Sequence, residues 1–190
     1  MPSLHRKNYP AEFMEMVFPL RLRRYSLHQD SGGPGRFRGG AGVVRELELL
    51  ADEAVIAIRQ DNILFPPAGV NGGHAGRPGS CLVNPGRPDE RRLAPMSDGN
   101  VLRRGDVVRL ATSGGGGWGH PFDRPLDRVR RDVLAGVVSV DAARADYGVV
   151  IAADGTLDLP ASEALRAEPR GPVRMFHRKD YFGPLVETRR

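Results

Sequence analysis

The stretch QDSGGPGRFRGGAGVV, from Gln29 to Val44, places a carboxylate (Asp30), a hydroxyl (Ser31) and two guanidiniums (Arg36 and Arg38) among closely spaced glycines. Glycines let another backbone or a ligand come close, and forked arginine donors hold carboxylates and phosphates in fixed geometry. Two readings follow. Either an internal Asp-Arg clamp locks the loop, or Ser31, Gly32, Gly33, Gly39 and Gly40 face a substrate or a subunit. A second cluster, Gly114, Gly115, Gly116 and Gly117, is followed by Trp118 and His120 and raises the same choice. Asp30, Arg36, Arg38 and His120 are the candidate catalytic residues. Ser31 in Asp-Ser-Gly favours a hydroxyl that caps its own turn over a nucleophile, because it sits in no GxSxG elbow and no histidine is discernible as its catalytic partner.

Other chemistries lack their parts. A phosphate-cradling P-loop needs a lysine followed by serine or threonine, and neither glycine cluster contains a lysine. The dinucleotide fingerprint needs a helix after the glycines, whereas the first cluster leads into the strand-like run Val43 to Leu50. His5, His28, His74, His120 and His177 show no short metal-ligand spacing, so no metal site is assigned. Cys81 is the single cysteine, which excludes an internal disulfide and favours a small buried side chain over a nucleophile.

The elements that position these residues are short. The 190 residues carry 24 glycines and 16 prolines, a composition of many turns, and their number suits one domain plus a tail. The net charge of +5 and pI near 10.0 would fit a polyanion partner, but the basic residues are almost all arginines, lie close to acids and lack interleaved aromatics. No nucleic-acid partner is expected. The N-terminus has no apolar signal-like core and no membrane-length run, so a cytoplasmic location without membrane attachment is the expectation.

Residues 1–11 read as an arm and 12–159 as the folded body. In MVFPLRLRRYSL, leucines alternate with arginines as in a half-buried strand, and Val43 to Leu50 with Ala54 to Arg59 reads as a hairpin. Cys81 to Val83 and GDVVRLAT are further strands. After Pro121, Leu126, Val129, Val133 and Val137 fall at helical spacing with Gly136 at the end. Ser139 caps a second helix that stops at Gly148, and Asp154-Gly155 turns between two short strands. The fold class is therefore α+β: a strand-rich domain with Gly-rich loops and a short C-terminal helical pair. Residues 160–190 read as an irregular tail whose rings at Phe176, Tyr181 and Phe182 dock on a partner or on the parent body.

The ordered set DSGGPGRFRGGAG, FPPAGVNGG and SGGGGWGHPFDRPLDRVRRDVLAGVVSVDAARADYGVV resembles the C-terminal part of the hydantoinase B/5-oxoprolinase family. The resemblance runs from about Glu12 to Val150, with His120 where that family tends to carry an acid and Trp118 where it tends to carry tyrosine. It implies a split or truncated module of a B-type subunit, inactive alone. Its partners would be an ATP-binding A-type subunit and the missing N-terminal B-type portion, and the reaction would be ATP-dependent hydrolysis of cyclic amides such as hydantoin or 5-oxoproline. The alternatives are a non-catalytic structural or interaction domain or degenerate fragment of such a subunit, and part of a related ATP-dependent ketone carboxylase. ATP and a divalent metal would belong to the complex, with no cofactor held by this chain alone.

Overall fold

Proline and glycine cut the chain into short elements, and what they join is decided by long-range backbone pairing. The computed structural model describes residues 9–169. The elements run α1 (Ala11–Val17), β1 (Leu20–His28), β2 (Gly42–Leu49), β3 (Glu53–Arg59), β4 (Ser80–Val83), β5 (Arg91–Arg92), β6 (Met96–Arg103), β7 (Val107–Ala111), a 3-10 turn (Pro121–Asp123), α2 (Leu126–Leu134), α3 (Val140–Tyr147), β8 (Val150–Ile151), β9 (Leu157–Asp158) and α4 (Leu159–Ala167). The sheets have the orders β1-β2-β7-β4-β5, β3-β6 and β8-β9. The fold is α+β.

Contacts divide the described chain into two units that the chain visits alternately: one takes in 9–25, 45–59 and 81–110, the other 26–44, 60–80 and 111–169. In the first, Leu49, Ile58, Cys81, Val83, Leu93, Leu102 and Val108 form the core. β3 and β6 pair antiparallel, with Ala54 opposite Leu102 and a register shift between Ile56 and Ile58. Buried Asn84 donates to Asp89 (2.6 Å) and Asp106 (2.8 Å) and accepts from the Val107 amide (2.9 Å), which satisfies its polar atoms away from water.

In the second unit, Val129, Val138, Ala143, Tyr147, Val149 and Ile151 form a core beneath the helices. Ser139 accepts from the Ala142 amide at the start of α3, and Gly148 ends it at φ 60° in the left-handed region. Both follow the local expectation.

Three expectations need correction. Val43–Leu50 and Ala54–Arg59 do not form a hairpin: β2 is flanked by β1 and β7, its last residue exchanges hydrogen bonds with the turn before β7 (Leu49 N to Asp106 O, 2.9 Å; Gly105 N to Leu49 O, 2.8 Å), and β3 pairs with β6. The strand expected from Met16 begins only after Pro19, because alanine, glutamate and methionine after Pro10 favour the helix α1. The tail expected to be irregular from residue 160 starts as a helix. Asp158 caps it by accepting from the Ala161 amide (3.0 Å), and Pro160 occupies the first turn, where a missing N–H costs nothing. Buried Ser162 then donates to Asp158 O and accepts from Val150 N, tying α4 to β8. Phe176, Tyr181, Phe182 and His177 lie outside the described residues, as does His5.

Candidate functional site

The glycine clusters of the second unit pack directly on one another as backbone. Gly33 donates to Gly115 O (2.8 Å), Gly115 to Gly40 O (2.9 Å), Gly39 to Gly33 O (2.9 Å), Gly117 to His74 O (2.9 Å) and Val70 to Gly117 O (2.9 Å). Three segments, 31–42, 67–76 and 114–119, thus share one hydrogen-bonded bundle. A Cβ at Gly39 would stand 2.0 Å from Gly115 O, at Gly73 2.2 Å from Gly117 O, at Gly114 1.9 Å from Ser31 O, and at Gly116 1.8 Å from Ala68 O. Absence of a side chain is what lets these backbones touch. Gly32 and Gly117 are equally closed in, whereas Gly40 meets nothing within 4 Å.

Ser31 is buried; its Oγ donates to His28 O (2.5 Å) and accepts from Gly42 N (2.8 Å), so the hydroxyl pins the loop's two ends. Asp30, at φ 59°, accepts from Ser139 N (2.7 Å) while its own amide donates to Val137 O (2.9 Å), which ties the loop to the start of α3. Arg38 does not clamp Asp30. Its guanidinium donates to Asp132 of α2 (3.2 Å) and to Gly39 O (2.6 Å), and Arg124 donates to the same Asp132 (2.8 Å) and to Arg36 O (3.1 Å). The clamp exists with a different acid. Sequence reading missed Asp132, Arg124 and Tyr147, although an acid at a helical position flanked by inward-facing Val129 and Val133 is a usable signal.

Around this clamp, Tyr147 is buried and its phenol is pushed well up by that burial. Arg166 bonds the carbonyls of Tyr147 (3.0 Å) and Arg124 (2.9 Å), and burial lowers the pKa of its guanidinium. Two guanidiniums on one carboxylate make the clamp net positive, while its low exposure strengthens each bond. His120 accepts at Nδ1 from Phe122 N (3.1 Å), heading the 3-10 turn, with its ring edge-on to Phe122 at 5.3 Å. Arg36 is exposed, 5.8 Å above the Phe37 ring; Phe37 and Trp118 bridge through their backbones with rings 5.6 Å apart. Arg36, Phe37 and Trp118, with Val70 and Asn71 from the middle segment, are exposed side chains of the glycine bundle.

An open pocket of 340 Å³ in the same unit is lined by Phe122, Asp141, Arg144, Ala145, Leu165, Glu168 and Pro169. Among the described residues no three His, Cys, Asp or Glu side chains gather as a metal site, and no helix is long and apolar enough to cross a membrane.

Residues 3–121 match the family model described as hydantoinase B/oxoprolinase. The chain belongs to that family. The beta subunit of the caprolactamase of Pseudomonas jessenii is 38% identical over 164 residues, which cover 82% of this chain and 27% of that subunit. The crystal structure of the ATP-dependent caprolactamase of that organism superposes with a TM-score of 0.71 at 34% identity, over 84% of this chain and 28% of that one. The B-type subunit of a putative D-/L-hydantoinase of Pseudomonas sp. (strain NS671) is 32% identical, covering 84% of this chain and 27% of its own. An acetone carboxylase structure, 20% identical with a TM-score of 0.66 over 85% of this chain and 26% of that one, shares the fold. The hydantoinase B/oxoprolinase chain described here thus spans little more than a quarter of these relatives' length.

Proposed function

We propose that the chain is a module of a hydantoinase B/oxoprolinase-type subunit that works with an ATP-binding A-type partner and the remaining B-type portion in ATP-dependent hydrolysis of cyclic amides. The observation that carries the reading is its likeness, at 34% identity over 84% of the chain, to a solved ATP-dependent caprolactamase. A ring amide is a weak electrophile, and coupling its C–N cleavage by water to cleavage of ATP to ADP and phosphate supplies the driving force. Hydantoin, 5-oxoproline and lactam rings share that amide.

Within this reading the glycine bundle is a stiff wall of the reaction chamber. Asp30, Ser31 and Arg38 are positioning residues, since each bonds an internal partner: the Ser139 amide, the His28 carbonyl and the Asp132 carboxylate. Arg36 and His120 are the candidates for contact with substrate. ATP and any divalent metal belong to the partner side. The test is turnover of ATP with hydantoin, 5-oxoproline or caprolactam by the reconstituted complex carrying Arg36→Ala or His120→Ala: lost turnover with intact assembly supports a catalytic contribution, and unchanged turnover removes both residues from the chamber.

A second reading, a structural or interaction domain without catalytic groups, is favoured by the same internal use of Asp30, Ser31 and Arg38. It predicts that Asp30→Ala and Arg38→Ala lower assembly and turnover together. A role in a ketone carboxylase rests on shared fold alone and would be read out by replacing the amide with acetone and bicarbonate.

A further inference from the structure

The N-terminal elements of the first unit carry an exposed apolar stripe. α1 is seven residues long and buries none of them. Helices this short are marginal in water and draw their stability from packing of an apolar face. Phe13, Met16 and Val17 fall at i, i+3 and i+4, which puts them on one face, and Tyr9 extends it with its ring 5.2 Å from Phe13. All are exposed, Met16 at 85%, and Phe18 continues the exposed apolar run. The side-chain tie from α1 to β1 is the Glu15 carboxylate accepting from Leu22 N (2.8 Å).

The neighbouring surface says what kind of partner fits. β1 is the end strand of its sheet. Beside it Glu48 is shared by Arg23 (2.8 Å) and Arg21 (3.7 Å), Glu46 by Arg109 (2.7 Å) and Arg24 (3.8 Å), and Arg45 stacks over Tyr25 at 5.0 Å. Each of these two carboxylates serves two guanidiniums, so arginine charge is left in excess along β1, while α1 itself carries the exposed Glu12 and Glu15 beside its apolar stripe. Aromatic, methionine and arginine side chains together are the composition of an interface centre rather than of a solvated face.

We infer that the α1–β1 face, centred on Phe13, Met16 and Val17 and rimmed by Arg21, Arg23 and Arg45, is the docking surface for an apolar, acid-bearing region of the remaining B-type portion. The inference rests on the proposed function, because the caprolactamase chains compared above are between three and four times as long as the stretch they share with this chain. The net charge of +5 favours an acidic surface over a second copy of this basic chain, because two copies would approach with like sign.

The test uses the full chain in its native cell. A photo-crosslinking amino acid is placed at Met16, and at Asp98 on β6 as a control, and the adducts are identified by mass spectrometry. The expected result is a crosslink from position 16, absent from position 98, to a polypeptide that itself matches hydantoinase B. The double substitution Phe13→Ser/Met16→Ser should leave the melting curve of the isolated chain unchanged and lower co-purification of that polypeptide at least tenfold. A crosslink to a second copy or to an A-type subunit, or no crosslink, overturns the inference. If the B-type polypeptide co-purifies equally with the double variant, only the surface is wrong; if no hydantoinase-type subunit co-purifies with the wild-type chain, the proposed function falls with it.

Discussion

Gly114→Ala is the sharpest probe of the backbone bundle. An alanine Cβ there would sit 1.9 Å from Ser31 O, 2.2 Å from Ser31 C and 2.6 Å from Gly32 N, more than an ångström inside an ordinary contact. The obstacle is backbone, so no rotamer change relieves it. Ser31 O also accepts from Arg77 N (2.8 Å), and Gly114 N donates to Arg77 O (3.1 Å), so displacing either strand breaks a bond of the same ladder. Overpacking costs about 1–3 kcal/mol and one lost hydrogen bond about 1 kcal/mol, giving roughly 3 kcal/mol in total. For a chain of this size that lowers Tm by roughly 6–12 °C. Gly40→Ala is the internal control: nothing lies within 4 Å, and reduced unfolded-state freedom stabilises by up to about 1 kcal/mol. Paired thermal and urea melts by circular dichroism measure both. If Gly114→Ala melts within about 0.5 kcal/mol of wild type, the claim that close backbone contact makes these glycines necessary is wrong.

Removing Asp132 leaves Arg38 and Arg124 facing each other without a counter-charge, so Asp132→Ala should cost about 3 kcal/mol in urea unfolding, and Arg38→Met/Arg124→Met in the same background should recover part of it. Ser139→Ala removes the acceptor for Ala142 N and should cost about 1 kcal/mol, read by the same melts. Burial pushes the Cys81 thiol from 9.0 to about 11. The unfolded thiolate forms first, so this contribution to stability is complete below pH 9 and is lost as pH rises towards 11. Buried Tyr147 acts with the same sign at higher pH. Cys81→Ala should therefore flatten the early part of the alkaline decline in stability, and the wild-type thiol should react with a disulfide reagent at pH 8 only after denaturant is added.

Local features were legible in the sequence, and pairings between distant segments were not. The Ser139 cap and the Gly148 stop are decided within a few residues, and both stand where the sequence puts them. The Asp-Arg clamp, one of two readings left open, paired Arg38 with Asp30 because they are near in sequence, while the acid that Arg38 holds, Asp132, is reached only when α2 folds against the loop. β2 and β3 look like a hairpin from either side of Asp52, yet the competition of β7 for β2 is invisible without the sheet order. The glycine stretches read correctly as departures from regular strands. Their mutual packing has no local mark, because a glycine that frees a turn and a glycine that admits another backbone are the same letter.

The most direct measurement of the central claim is substrate-dependent ATP hydrolysis with three components: this chain, the remaining B-type portion and the A-type subunit from the same cell, assayed singly, pairwise and together. The account predicts cyclic-amide-dependent release of phosphate and of the ring-opened product only when all are present. Turnover by this chain alone, or equal turnover with this chain left out, would contradict it.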